Sequence, residues 1–271
     1  GDRFATTHSA TFHTADRYAL LYENMAQTKL VEIAKRRFDE IDSQNVHFTY
    51  EPESDSFLND LTNYPHAFVL ACLMDRQIKA ERAWKIPYLV CKEFNSYSIS
   101  ELSKIELKNY ISFFESKKIH RFNSTMAEIF YKTVMKIKKE YKEDASRIWK
   151  DKPSSASVVY KFLEFEGSGI KISTMAANIL ARQFKIPFSD YYSIDISPDV
   201  HIKRVMKRLG FVPENAENDM IIYKARELNP EFPGIIDFSC WEIGRNWCKP
   251  NNPDCENCIM KTECRRNNNN A

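Results

Sequence analysis

Apolar residues recur at helical spacing along almost the whole chain. From Tyr18 to Ile41, Leu20, Leu21, Met25, Leu30, Ile33 and Ala34 punctuate a charged background and predict a long amphipathic helix. A polar stretch follows from Asp42 to Asn63, with EPESDS as its least structured part. His66 to Phe94 reads as two apolar helices broken around Pro87, since a proline inside a helix removes a backbone donor. Ser100 is the expected N-cap of a helix running to Ser116, with Leu102, Ile105 and Leu107 inside it. Asn123–Tyr141, Ser154–Phe165, Lys171–Phe184, Val200–Leu209 and Asp219–Leu228 complete the predicted helices. Only Val46–Tyr50 suggests a strand, so the chain is expected to be all-α. Loose tails are expected over 1–15 and over 267–271, where four asparagines run together.

Composition adds little to this outline. The 271 residues suffice for a substantial core, and no run of eighteen apolar residues predicts a membrane helix. The polar N-terminus lacks the apolar stretch of a secretory signal, which makes a cytoplasmic, nucleoid-associated location the expectation, or a nuclear one in a eukaryote. The net charge of +2 does not announce a polyanion partner, so binding to nucleic acid would need local basic patches. Lys132, Lys136, Lys138 and Lys139 form one candidate, and Lys203, Arg204, Lys207 and Arg208 another. On charge alone each reads as a solvated helix face.

Cysteine changes the picture. Seven are present, and five fall between Cys240 and Cys264. Cys248, Cys255, Cys258 and Cys264 follow the pattern C-x6-C-x2-C-x5-C. The central C-x2-C places two thiolates on one turn, and the outer pair closes a four-thiolate metal site. Chemistry alone leaves zinc and an iron–sulfur cluster equally open; Cys240 reads as a buried thiol. Upstream, FLEFEGSGIKISTMAANIL over 162–180 places Gly167 and Gly169 in a turn between two apolar helices. Such a turn exposes backbone N–H groups at the start of the second helix, where an anion is favoured.

In this order these motifs resemble the endonuclease III-like members of the helix–hairpin–helix DNA glycosylase superfamily that carry an iron–sulfur cluster loop. The Gly244-Arg245 pair before the first cysteine agrees with it. The resemblance spans roughly Pro65 to Cys264 and implies a two-lobed helical architecture with a C-terminal [4Fe–4S] cluster loop held by Cys248, Cys255, Cys258 and Cys264. It implies DNA contact through Gly167, Ser168, Gly169 and Ile170, and a catalytic Lys171 two residues after the second glycine. Ser197-Pro198-Asp199-Val200-His201 is similar to the family's Asp-x-His segment, so Asp199 takes the place of the catalytic carboxylate while also suiting an N-cap. His201 reads as structural, and Arg204 as a support for this helix or a phosphate contact.

Departures accompany the likeness. The stretch from Lys171 to Asp199 is longer than in typical relatives, with the extra part around Pro187–Ile196, where it is expected to border the base pocket. Asp195 within it is the fallback carboxylate. Inside the cluster loop KPNNPD sets Lys249 against Asp254, which weakens the case for DNA contact there, although Lys261, Arg265 and Arg266 are alternatives. Arg76 and Gln77, after the apolar helix from Phe68, are candidates for the wedge that fills the gap left by an extruded base; Met74 and Trp84 read as core.

The domain expectation is an N-terminal helical extension over 16–64, a glycosylase core over 65–240 with the hairpin at 154–184, and a cluster loop over 241–266 that packs with the N-terminal helices. The expected function is base-excision repair: a monomeric DNA N-glycosylase acting on duplex DNA with a damaged or mismatched base, with β-elimination AP-lyase activity through Lys171. The alternatives are a monofunctional glycosylase, a non-catalytic DNA-binding protein with a structural metal, and a zinc-holding interaction protein.

Overall fold

The computed structural model describes residues 14–41 and 46–265. Twelve α-helices and two short 3₁₀ turns carry these residues, and no strand occurs among them. The first helix, α1, is Thr14–Glu40. It begins two residues inside the loose tail expected over 1–15; residues 1–13 and the tail over 267–271 lie outside the described residues. No described helix is long and apolar enough to cross a membrane.

Segment 46–50, expected to be a strand, is irregular because no second strand lies beside it to pair with. Side chains tie it down instead. Asn59 bonds both the N–H and the carbonyl of Val46 at 3.2 and 2.9 Å, and Asp55 accepts from the Thr49 amide and hydroxyl at 2.7 Å each. The residues expected to be least structured, EPESDS, start helix α2, Pro52–Asn59. Proline suits the first helical position, and Glu53 and Asp55 complement the positive end of the helix dipole.

Helix α3, Pro65–Met74, is buried all round and forms the axis of one lobe. The break in the apolar stretch falls at residues 75–79, whereas the sequence pointed to Pro87. The polar run DRQIK cannot extend a fully buried helix, and Gln77 turns the chain with φ +55. Pro87 lies inside α4, Ala80–Phe94, where it is buried with Ala83, Trp84, Ile86, Val90 and Cys91. Their burial offsets the loss of one backbone bond, a cost of about 3 kcal/mol. The next N-cap is Ser98 rather than Ser100: Ser98 and Glu101 form a reciprocal capping box for α5, Ile99–Leu102. Helices α6 (Leu107–Lys117), α7 (Asn123–Glu140) and α8 (Ser155–Leu163) complete this lobe, and α9 (Ile170–Arg182) joins α8 through the glycine turn. Phe68 is its aromatic hub, meeting Trp84, Trp149, Phe162 and Phe184 at centroid distances of 5.5–6.4 Å.

The second lobe joins both ends of the chain. Helix α1 packs against the 3₁₀ turn Pro233–Ile236 and against α12, Asp237–Asn246, while α10 (Val200–Leu209) packs on α12 and on α11 (Asn218–Leu228). The residues of the expected extension are therefore divided, α1 going to this lobe and α2 to the other. The sequence pattern did not reveal α12, whose buried positions Ser239, Cys240, Ile243 and Gly244 are mostly small.

Residues 187–196 form a strap between the lobes. The Ser189 amide donates to the Pro153 carbonyl, Ser155 bridges Asp190 and the Ser193 amide, and Tyr191 stacks on Phe232 at 4.8 Å. Asp195, the fallback carboxylate, is buried in a bidentate pair with Arg226 at 2.8 and 2.7 Å. That pairing gives it a structural role.

Gly244 sets the approach of α12 to α10. A Cβ there would lie 2.7 Å from the His201 Cβ and 3.1 Å from its Cα. Replacing a helical glycine by alanine contributes up to about 1 kcal/mol of propensity, but overpacking a tight contact costs about 1–3 kcal/mol. The clash wins, so Gly244→Ala is expected to lower the denaturant midpoint of unfolding; an unchanged or higher midpoint contradicts this packing.

Candidate active site

The glycine turn sits where the first lobe meets the second. Gly167 has φ +84, and a Cβ on it would press to 2.8 Å from Ile129 Cδ1, so conformation and space both call for glycine. Gly169 is the N-cap of α9 and has nothing within 4 Å of where its Cβ would be. The start of α9 therefore faces open space, with first-turn N–H groups that the helix itself does not satisfy. Ser168 lies within hydrogen-bond distance of Ser173 across this turn, at 2.9 Å between hydroxyls, and Ile170 is exposed.

Lys171 is the second residue of α9 and is exposed. Asp199 is the N-cap of α10, and its Oδ1 accepts from the His201 and Ile202 amides at 2.8 Å each. Capping thus fixes one carboxylate oxygen and with it the direction of the other. Both residues line a single cleft of about 400 Å³ between the lobes. Ser197 links its walls: its hydroxyl donates to the Lys171 carbonyl at 3.3 Å, and its amide donates to Asp237 Oδ2 at 2.6 Å. The strap 187–196 does not line the cleft, contrary to the expectation that it borders a base pocket.

Residues missed in the sequence complete the cleft. Lys171, Met175, Asn178 and Arg182 all line it, and their spacing of four, three and four residues puts them on one face of α9. That spacing was legible, but nothing in the sequence marked the face as a wall. Asp237 opens α12. Burial raises its carboxyl to about 6, against the opposing influence of the Ser197 amide, Arg182 and Lys171, while Asp199 adds to the rise. Asp75 is also raised by burial; the Trp84 indole N–H donates to it at 3.2 Å, and Lys171 opposes the shift. Trp84 therefore borders the cleft besides packing in the core, with Phe48 stacked on it at 4.4 Å. His47, Phe48 and Tyr50 bring the N-terminal segment into the wall. Arg245 lies over the Trp241 ring at 4.9 Å, on the same cleft.

The candidate wedge residues stand apart from it. Arg76 packs beside the hairpin, its Nη1 3.2 Å from where a Gly167 Cβ would be, and Gln77 is exposed. Neither lines the cleft.

Cys248, Cys255, Cys258 and Cys264 line one small cavity together with Arg208 and Trp247. All four thiols are unbridged, and Cys240 is buried outside the set. Burial pushes the Cys258 thiol up to about 11, and the other three cysteines add to the rise. Among the described residues no group of three or more His, Cys, Asp or Glu side chains is set to hold a single metal ion. Helix α10 grips this loop. Arg204 donates to the carbonyls of Cys248 at 2.6 Å and Gly244 at 2.8 Å, and Arg208 donates to those of Lys249 and Pro250 and to Cys248 Sγ at 3.4 Å. Two members of the second basic patch are thus tied to the loop, and all four, with Arg265, line an open groove. Arg266 lies outside the described residues. In the first patch, Lys132 and Lys136 pair with Glu166 and Glu140, and Lys138 bonds Ser103.

No family model matches the chain. Endonuclease III of Thermotoga maritima is 39% identical over 74 residues, which is 26% of this chain and 32% of that protein. The match therefore spans about a third of that relative. Among solved structures, an endonuclease III–DNA covalent intermediate superposes with a TM-score of 0.60 at 17% identity, over 92% of this chain and 98% of the other. A non-covalent endonuclease III–DNA complex gives 0.60 at 18%, over 92% and 97%. A thermostable thymine-DNA glycosylase gives 0.60 at 15%, over 91% and 98%. The all-helical fold and the likeness to endonuclease III are both borne out.

The raised carboxyl of Asp237 has a consequence for stability. A carboxyl held above its ordinary value of 3.8 in the folded state contributes stability that is fully present below about 4 and is lost as pH rises through about 6. The loss is on the order of 3 kcal/mol. Asp237→Asn is expected to flatten the fall in melting temperature between pH 4 and 6, and an identical slope in both proteins contradicts the assignment.

Proposed function

We propose that the protein is a DNA N-glycosylase that releases a damaged or mismatched base from duplex DNA, with AP-lyase activity through Lys171. The observation that carries this reading is that Lys171 and Asp199, on different helices, line one cleft beside the open start of α9. The likeness in fold to endonuclease III supports it.

The hairpin would hold a backbone phosphate at the start of α9. With the target nucleotide turned into the cleft, the Lys171 amine attacks the sugar C1′. The C1′–N bond breaks with its electron pair leaving on the base, which takes up a proton, and the amine gives one up. Asp199, held by its two amide bonds, stabilises the positive charge that develops on the sugar. Ring opening then gives a Schiff base. Loss of a proton from C2′ expels the 3′ phosphate, which is the lyase step.

The four cysteines fit a [4Fe–4S] cluster. They are unbridged and share one cavity, toward which Arg208 donates an N–H to Cys248 Sγ. Such a cluster would supply a structural tie between the loop and α10, since breaking an N-glycosidic bond requires no electron transfer.

Lys171→Ala is expected to abolish borohydride trapping on a lesion-bearing duplex. Asp199→Asn is expected to slow base release by about 100-fold or more, the scale of a positioned charged group. Wild-type protein that releases base but never traps makes Lys171 a phosphate contact in a monofunctional enzyme, and full activity in the Asp199→Asn variant removes that residue from the chemistry. Purified protein should be brown and contain iron and acid-labile sulfide; stoichiometric zinc without iron overturns the cluster assignment.

A further inference from the structure

We propose that Arg182 reads the base in this cleft, accepting one with a carbonyl at the position farthest from the sugar and rejecting one with an amino group there. The acceptable bases carry a 4-oxo group on a pyrimidine or a 6-oxo group on a purine. The inference rests on the glycosylase reading above and specifies its substrate class.

Arg182 is only 9% exposed, yet its Nε and Nη1 have no hydrogen-bond partner. A buried guanidinium without acceptors costs several kcal/mol, a penalty that native folds rarely leave uncompensated. Its one close neighbour of note is the Phe238 ring, 4.3 Å away, which fixes the plane of the side chain but accepts no N–H in the guanidinium plane. Asp237 is near enough for the two charges to influence each other, but they form no ion pair. Donor and acceptor thus line the same cleft unbonded to each other, a gap in the pairing of its wall. Asn178, 3% exposed, lies one turn earlier; its Nδ2 donates to the Gly234 carbonyl at 2.8 Å and its Oδ1 is unpartnered.

Position along α9 gives the gap its meaning. Arg182 lies eleven residues beyond Lys171 on the same face, roughly 16 Å along the helix axis. A base whose sugar carbon lies at Lys171 extends about 6 Å toward Arg182, and the two long side chains would span the rest. A guanidinium offers only donors, so it bonds a carbonyl oxygen and repels an amino group at the same place. A ring N–H beside that carbonyl points to the acceptors of Asp237, whose other oxygen is taken by the Ser197 amide. Uracil- and thymine-type bases and 6-oxopurines satisfy this arrangement, whereas cytosine- and adenine-type bases do not.

The test uses pairs that differ at this one position, 5-hydroxyuracil against 5-hydroxycytosine and hypoxanthine against adenine, in otherwise identical duplexes. Wild-type protein is expected to release the oxo member about tenfold or more faster, in whichever pair supports release. Arg182→Leu is expected to bring the two members of that pair to equal rates, while its affinity for a duplex with a tetrahydrofuran abasic site, which has no base to read, stays unchanged. Equal release of both members by wild type, release of amino bases alone, or loss of abasic-site binding by a variant whose melting transition is intact each overturns the proposal. The wild-type ratio decides even if the variant does not fold. Failure to release any base, with abasic-site binding intact, instead defeats the glycosylase reading itself.

Discussion

Helix α10 carries the constraint on which the site depends. Its first turn is organised by Asp199, which takes two backbone amides and thereby stands on the cleft. One turn on, Arg204 bonds the carbonyls of Gly244 and of Cys248, the first of the four loop cysteines, and Arg208 continues the grip along the loop. A ten-residue helix thus has the candidate carboxylate at one end and the cysteine loop along its flank. Charged hydrogen bonds to carbonyls are among the stronger ones available to a fold. Arginine suits this use because its fork bonds several acceptors at once. Disorder in the loop would therefore reach Asp199 through the helix itself.

The cleft balances opposing charges at close quarters. Asp75, Asp199 and Asp237 face Lys171, Arg182 and Arg245 around one cavity. Burial pushes Asp75 and Asp237 upward, and the cations pull them back. Burial also depresses Arg182, to about 10. Such competition among desolvation and mixed charges marks functional sites more often than structural ones. Arg245 pairs with Glu81 at 3.9 Å on this cleft, whereas among the described residues no ion pair joins Lys171 or Arg182 to Asp199 or Asp237, which leaves those four available to a ligand.

Much of this was legible in the sequence where local rules decide the outcome. The glycine turn, Lys171 after it, Asp199 as a cap and the cysteine quartet all announce themselves through spacing and conformational need. Helices α7 to α11 followed their apolar periodicity to within a few residues. What escaped depends on tertiary context. Pro87 stays inside α4 because packing outweighs a lost backbone bond, and segment 46–50 has strand-like residues but no strand to pair with. Asp195 reads as a fallback to Asp199 in the sequence, and its burial against Arg226 is what shows its role to be structural. Arg182 lies on a helix the sequence predicts and Asp237 on one it missed, and burial, which the sequence does not show, is what makes both unusual.

Gly244 carries a consequence beyond packing. It lies on α12, the helix that Asp237 begins, and touches His201 on α10, the helix that Asp199 caps. The separation of the two acids is therefore gauged by a hydrogen atom where other residues carry a methyl group. Their mutual repulsion is set by how closely two backbones can approach, at a point remote from either carboxylate. The site's electrostatics are, in that sense, a mechanical property of the helix pair.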